Sequence, residues 1–340
     1  MLNPILTPPS YSLIKKDRVS LLLKETYRDL LLQQGIEDFE TFLKRYGQIS
    51  PHLKGRTLHF LVPLRDGRNM VIRRYSHGGW FRFFTRDLYL SGSRSFQELC
   101  LTEEVQSSGI PTLQTVGAIR ASVFPFFYKA YLLSLEIPNA EDSTRYLLKT
   151  ISHPVRECLI EKRKMIHSAA ILVKQFHQAG FFHRDLQLKN ILIAEGKPLL
   201  IDFDRSYRKK VLTLRERTDN LLRLDRSVEK WKRLGLPLTR TDRWRFFLAY
   251  SQSDPSMREA LKEALRTYSI HSFFHRCVWS LQRGSRIRGV KESSSATSKI
   301  LAVQIEGETP LKNSLRGKRR DCWCEKKKWS APWIIAKDLG

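Results

Sequence analysis

The chain has 340 residues, enough for one large core or two modest ones, and its 41% hydrophobic and 11% aromatic content excludes disorder throughout. With 60 Lys and Arg against 34 Asp and Glu, a formal net charge of +26 implies an anionic partner: nucleic acid, an anionic membrane surface or a phosphorylated substrate.

Residues 1–48 read as a Pro-rich start followed by helix, because Leu21, Leu22, Leu23, Tyr27, Leu30, Leu31, Phe39, Phe42 and Leu43 recur near helical spacing. This predicts an N-terminal helical extension packed on the main body. There is no basic n-region followed by an apolar h-region, which argues against a secretory signal. No apolar run reaches the roughly 18 to 20 residues that span a bilayer.

The pattern then changes to strands. L-H-F-L-V-P-L, a turn at Arg65-Asp66-Gly67-Arg68 and N-M-V-I-R-R-Y predict a hairpin. His77-Gly78-Gly79 and W-F-R-F-F-T-R-D-L-Y-L follow, then a helix over about 94–107 carrying Phe96, Leu99, Leu101 and Val105. Strands around Leu113–Ile119 and Tyr128–Leu135 come before Pro138-Asn139. Beyond that break, 156–179 reads as a long helix with Leu159, Ile160, Ile166, Ala169, Ala170, Val173 and Phe176 on one face and Gly180 as its C-cap. Further helices are expected over 212–224, 227–234, 240–250 and 256–281.

This order predicts an α+β, bilobal chain: a small β-rich lobe with one helix over 49–137 and a larger helical lobe over 138–283. Residues 284–340 read as a basic, largely disordered tail, with Gly317-Lys318-Arg319-Arg320 and Lys326-Lys327-Lys328. The cysteines, Cys100, Cys158, Cys277, Cys322 and Cys324, have no C-x-x-C spacing, which argues for a reducing compartment and against a zinc ribbon or disulfide scaffold.

Most of the chemistry lies in one stretch, H-R-D-L-Q-L-K-N-I-L-I-A-E-G-K-P-L-L-I-D-F-D, from His183 to Asp204. Asp185 and Asn190 sit five residues apart. Two short apolar runs joined by a Gly-Lys-Pro turn would then return Asp202 to the neighbourhood of Asn190. Phosphoryl transfer uses such a cluster, with Mg²⁺ bridging nucleotide phosphates and a carboxylate orienting the acceptor hydroxyl. In kinase terms Asp185 is the base, and Asn190 and Asp202 hold metal. A hairpin with incidental acids is the bland alternative, and it does not account for the whole conjunction.

The segments V-I-R-R-Y-S-H-G-G, F-T-R-D-L-Y-L-S-G, S-R-S-F-Q-E, G-I-P-T-L, F-H-Q-A-G-F-F-H-R-D-L-Q-L-K-N-I-L-I, L-I-D-F-D-R-S and R-T-D-N-L-L-R-L-D-R-S run in order across roughly residues 50–250. In these the chain resembles the lipopolysaccharide kinase (Kdo/WaaP) family, most closely its 3-deoxy-D-manno-octulosonic acid (Kdo) kinase branch. The resemblance implies a protein-kinase-like fold, ATP and Mg²⁺ as cofactors, and phosphate transfer to a Kdo hydroxyl on Kdo-lipid A. The place implied is the cytoplasmic face of a Gram-negative inner membrane, with the protein peripheral to the anionic surface.

Carried over residue by residue, Asp185 would accept the hydroxyl proton, Asn190 and Asp202 would hold Mg²⁺, and Glu98 would play the helix-C glutamate. Arg73 stands where protein kinases carry a strand lysine, with its charge kept and its shape changed. Glu136 and Ile137 fall at the hinge, whose backbone would face adenine. Gly55, flanked by Lys54 and Arg56, is a weak match to a glycine-rich loop.

Asp204 replaces the glycine that gives protein kinases a flexible segment, which suggests a rigid one. His177 and His183 read as hydrogen-bonded core and loop histidines, and Arg184 as a structural or charge-pairing residue. Trp80, Phe81, Phe83 and Phe84, interleaved with Arg82 and Arg86, read as a mixture of core and interfacial side chains. Two alternatives stay open: a kinase for a core heptose or a protein, and a basic nucleic-acid-binding protein on a dead kinase scaffold. Retention of Asp185, Asn190 and Asp202 speaks against the latter.

Overall fold

The computed structural model describes residues 7–49, 59–76, 87–90, 92–124, 127–152, 156–252 and 254–264. The Gly55 loop, the Trp80–Arg86 run, the C-terminal part of the helix expected over 256–281 and the 284–340 tail lie outside them. The chain divides into two compact units, Met1–Ala260 and Leu261–Gly340. Of the second only 261–264 are described, and they are helical.

The first half of the larger unit is an antiparallel sheet with helices on both faces. Its strands are β1 (Tyr11–Lys16), β2 (Val19–Lys24), β3 (Gln48–Ile49), β4 (His59–Pro63), β5 (Asn69–Arg74), β6 (Tyr89–Leu90), β7 (Thr115–Phe124) and β8 (Phe127–Leu135), in the order β1-β2-β7-β8-β5-β4-β3 with β6 also on β8. Helices α1 (Glu25–Gln33) and α2 (Phe39–Tyr46) cover one face, and α3 (Arg94–Ser107) covers the other. The hairpin read from 58–75 is present, as β4 and β5 paired Leu61 to Val71.

The expected helical extension over 1–48 is corrected at its start. Leu21, Leu22 and Leu23 lie in β2, which pairs with β7 in the middle of the sheet. All three are fully buried, yet on opposite faces: Leu21 and Leu23 pack among Leu31, Phe39 and Phe42, while Leu22 packs with Phe96 and Leu99 of α3. A strand covered on both faces has no polar alternation, so a continuous apolar triplet reads equally well as helix. The true helices begin at Glu25.

The second half is helical, built around α5 (Arg156–Gln178), which follows β9 (Glu141–Asp142) and α4 (Ser143–Ser152). Met165, Ile166, Ala169, Ala170, Val173 and Phe176 form its buried stripe. Leu159 and Ile160, expected on that stripe, are instead exposed to about two-fifths, 39% and 40%. The turn between them and Met165 is anchored instead by Lys162, buried and ion-paired with Asp242 at 2.8 Å.

Short strands β10 (Phe181–Phe182), β11 (Ile191–Ala194), β12 (Lys197–Leu200) and β13 (Tyr207–Arg208) lead to α6 (Leu214–Arg233) and α7 (Arg240–Ser251). Helix α6 is continuous where two helices were expected, since no Gly or Pro interrupts it. A capping box of Thr213 and Glu216 opens it, and Thr239 and Asp242 open α7 in the same way. The two halves meet where Leu200 N donates to Pro111 O at 3.1 Å and Thr112 Oγ1 donates to Leu200 O at 2.8 Å.

Candidate active site

The site begins at the end of α5. Gly180 has φ +85°, and a Cβ there would lie 1.9 Å from the carbonyl oxygen of Lys209, so only glycine lets the chain turn out of the helix at this point. Three residues later comes His183, fully buried. Asp185 N donates to its Nδ1 at 3.1 Å, which makes Nδ1 the acceptor, so the ring proton sits on Nε2 and is donated to Ile201 O at 3.0 Å. Burial holds the His183 pKa below its usual value, although the bond to Ile201 works the other way. The ring is a neutral brace between the loop and Ile201, the residue that follows β12 and precedes Asp202, in keeping with its structural reading.

The return of Asp202 follows from the hairpin. Glu195 and Gly196 both have positive φ, as a tight two-residue turn requires, and they set the register Ile191 opposite Leu200. The turn is therefore one residue earlier than the Gly-Lys-Pro reading. Pairing continues as Ile201 N donates to Asn190 O at 3.0 Å, bringing Asp202 beside Asn190. Asn190 is buried, with its Nδ2 donated to Asp185 O at 2.8 Å. Its Oδ1 is thereby left as the oxygen available to a ligand.

Asp185 is half-exposed, with Gln187 Nε2 donating to one carboxylate oxygen at 2.8 Å and Arg223 Nη1 reaching the other at 3.4 Å. Helix α6 tracks this loop along one face. Asn220 Nδ2 donates to His183 O at 2.6 Å, Arg223 meets Asp185, Ser227 Oγ accepts from Leu188 N at 3.2 Å, and Lys189 Nζ lies 5.0 Å from the centre of the Trp231 ring. Neither Gln187 nor any of these α6 residues was singled out from sequence. Their spacing at 220, 223, 227 and 231 is a single helical face, a signal readable only once the helix is known to run unbroken.

Across from the loop, Arg73 uses its fork of donors: Nη2 to Glu98 Oε2 at 2.6 Å and Nη1 to Asp202 Oδ1 at 2.8 Å. Its guanidinium lies 4.7 Å from the Tyr75 ring centre, and Tyr75 OH also donates to Glu98. Burial lifts the Glu98 carboxyl to about 7, with Arg73 pulling against it. Burial also opposes ionisation of Asp202, but Arg73 outweighs it and holds that carboxyl below its usual value. Asp202 itself adopts φ +68°, a left-handed conformation uncommon outside glycine and asparagine.

At the hinge, Glu136 N donates to Asn69 O at 2.8 Å and Ile137 O accepts from Ala140 N at 3.2 Å. Two of the four backbone groups are therefore engaged. Glu136 O and Ile137 N have no partner among the described residues.

Among the described residues no group of three or more His, Cys, Asp or Glu is placed to hold a metal. Asn190 and Asp202 offer two oxygen donors, one of them an ionised carboxylate. That set suits Mg²⁺, which binds through one or two carboxylates and completes its shell with phosphate and water.

A small antiparallel sheet with one inner helix, a helical half, and an Arg-Glu pair reaching an aspartate beyond the His183–Asn190 loop define a protein-kinase-like phosphotransferase. Residues 40–250 match the lipopolysaccharide kinase (Kdo/WaaP) family, and the chain belongs to it. It is 30% identical over 232 residues to a 3-deoxy-D-manno-octulosonic acid kinase of Pasteurella multocida (strain Pm70), covering 65% of this chain and 92% of that protein. A protein of the same description from Mannheimia succiniciproducens is 31% identical over 199 residues, covering 56% of this chain and 78% of that one.

Among solved structures, WaaP in complex with acyl carrier protein shares the fold, with a TM-score of 0.50 at 20% identity, covering 77% of this chain and 98% of that one. The protein is a kinase of lipopolysaccharide biosynthesis that acts on a hydroxyl. No helix among the described residues is long and apolar enough to cross a membrane.

Proposed function

We propose that the chain transfers the γ-phosphate of ATP to a hydroxyl of the Kdo sugar on Kdo-lipid A. The observation that carries the reading is Arg73, which joins Glu98 of α3 to Asp202 beside Asn190 and so supports a metal-nucleotide site next to Asp185. The Kdo acceptor is supported by the Pasteurella multocida relative, 92% of which this chain covers.

In this reading Asp185 accepts the proton of the sugar hydroxyl as that oxygen bonds to the γ-phosphorus and the bond to ADP breaks. General-base assistance of this kind contributes about 10²–10⁴ in rate. Gln187 and Arg223 orient its carboxylate, and Asn190 fixes the loop through the Asp185 carbonyl. Asn190 Oδ1 and Asp202 hold Mg²⁺, which when bound offsets the charge of the phosphates. Arg73 keeps Asp202 aimed and ionised. Glu136 O and Ile137 N supply an acceptor and a donor toward the adenine edge.

A net charge of +26 favours approach to the anionic cytoplasmic face of the inner membrane, where the lipid acceptor would be met. The test is a competition in one vessel: ATP and Mg²⁺ with Kdo-lipid A, a heptosylated core acceptor and a protein substrate, products read by mass spectrometry. Phosphate on Kdo-lipid A is expected. Phosphate on another acceptor alone would move the assignment there, and steeply salt-dependent nucleic-acid binding without turnover would favour the scaffold alternative.

A further inference from the structure

We infer that Arg94 and Asp204 form a positioning clamp that holds the turn carrying Asp202 against helix α3, so that the metal carboxylate is in place before substrate arrives. The inference rests on the assignment of Asp202 as a metal ligand.

Arg94 is the first residue of α3, where a cation opposes the helix dipole. The first turn of α3 has no acidic residue, and Ser93 at its N-cap makes no side-chain cap. Asp204 brings a carboxylate to this end of the helix from elsewhere in the chain. Its two carboxylate oxygens accept from Nε and Nη2 of Arg94, a fork-to-fork pair in which both side chains are only about a fifth exposed, 20% and 22%. The guanidinium is further fixed 5.0 Å from the ring centre of Tyr89, and Arg94 N donates to Tyr128 OH at 3.3 Å.

What the clamp restrains is a strained turn. Asp202 at φ +68° and Arg205 at φ +57° flank Phe203 and Asp204, and such residues keep their conformation only where the surroundings over-determine it. The turn is held at Asp202 by Arg73, at Asp204 by Arg94, and at Ser206, whose Oγ accepts from Arg184 N at 3.0 Å. Helix α3 is itself held at its far end, where Glu103 accepts from Tyr11 OH at 2.7 Å and Lys24 Nζ at 3.2 Å. It is therefore a fixed post for the turn to lean on. A glycine at 204 would leave the turn free to rotate. A carboxylate there, paired with Arg94, removes that freedom.

The test measures Mg²⁺-dependent binding of a fluorescent ATP analogue, which needs no acceptor, alongside thermal unfolding. Arg94→Gln and Asp204→Asn are each expected to raise the half-saturating Mg²⁺ concentration by about 10–100-fold, the usual effect of removing a group that orients a metal ligand. The exchange Arg94→Asp with Asp204→Arg should recover most of that loss. Glu104→Gln, which removes an exposed 3.5 Å pair between the same helix and Arg208, should leave binding unchanged.

Wild-type Mg²⁺ dependence in Arg94→Gln, or a double exchange no better than the single variants, would overturn the clamp. Should Arg94→Gln fail to fold, Asp204→Asn, which keeps the side-chain volume, is judged by the same outcomes. Asp202→Asn separates the two layers: if it retains Mg²⁺-dependent binding, the metal assignment has failed. If it loses binding while the clamp variants do not, the clamp alone has failed.

Discussion

Arg73 on strand β5 and Asp202, 129 residues later, are joined by a hydrogen bond of 2.8 Å from Nη1 to Oδ1, while the second arm of the same guanidinium holds Glu98. One flat side chain thus sets the distance between α3 and the carboxylate of Asp202.

Replacing Arg73 separates charge from shape. Arg73→Lys offers one nitrogen where two are used, so kcat/KM for ATP should fall about 10–100-fold with the fold intact, as expected when a positioning contact is displaced. Arg73→Met leaves Glu98 buried without its cation, and chemical denaturation should then show a loss of about 3 kcal/mol as well. A lysine variant with wild-type kcat/KM would show that the fork is not needed.

Asn220 should prove as important to folding as to the site. It is fully buried, accepts from His177 Nε2 at 2.9 Å and His183 N at 3.3 Å, and donates to His183 O at 2.6 Å. Asn220→Leu strands both backbone groups of His183, and urea titration should show destabilisation of about 2–4 kcal/mol. An unchanged urea midpoint would mean the loop is held without it.

Gly180→Ala should cost about 2–4 kcal/mol, since it combines a left-handed backbone with a Cβ placed 1.9 Å from Lys209 O. The same urea titration checks it. Retention of wild-type stability would show that the exit from α5 can relax at little cost.

His177 gives the acid limb of stability a defined origin. Burial, set against a bond to Asn220, lowers its pKa from 6.5 to about 4, so the folded protein keeps the ring neutral while the unfolded chain protonates it between those values. The unfolded state then binds more protons, and this contribution is complete above about pH 6.5 and is lost as pH falls toward 4. Glu98, lifted by burial, has the opposite slope, so the comparison must be between proteins that share it. At pH 7, His177→Gln should be the less stable. The gap to wild type should narrow by roughly 3 kcal/mol by pH 4, because each tenfold difference in proton affinity between the folded and unfolded chain is worth about 1.4 kcal/mol. A gap independent of pH would contradict a neutral buried ring.

The approach of Asn190 to Asp202 was legible in sequence because it depends on local rules: a tight turn, two paired apolar runs and a fixed register. Helix α3 and the long α5 were legible for the same reason, each having its apolar stripe and, for α5, its terminal glycine. Leu21 to Leu23 misled, because burial on both faces removes the alternation by which a strand is known. Leu159 and Ile160 misled differently, since helical spacing shows which residues share a face but not where the neighbouring element ends. Arg223, Asn220 and the Arg94–Asp204 pair were not visible as site elements. Their partners lie 37 to 110 residues away, and only packing brings them together.

The most direct measurement is phosphate transfer by the Asp185→Ala protein. With ATP, Mg²⁺ and Kdo-lipid A, the wild-type chain should yield acceptor bearing one added phosphate by mass spectrometry. The variant should still bind the fluorescent ATP analogue but form product at least about 10²-fold more slowly. Absence of product from the wild type, or product formed at the wild-type rate by Asp185→Ala, would contradict a Kdo kinase that uses Asp185 as its base.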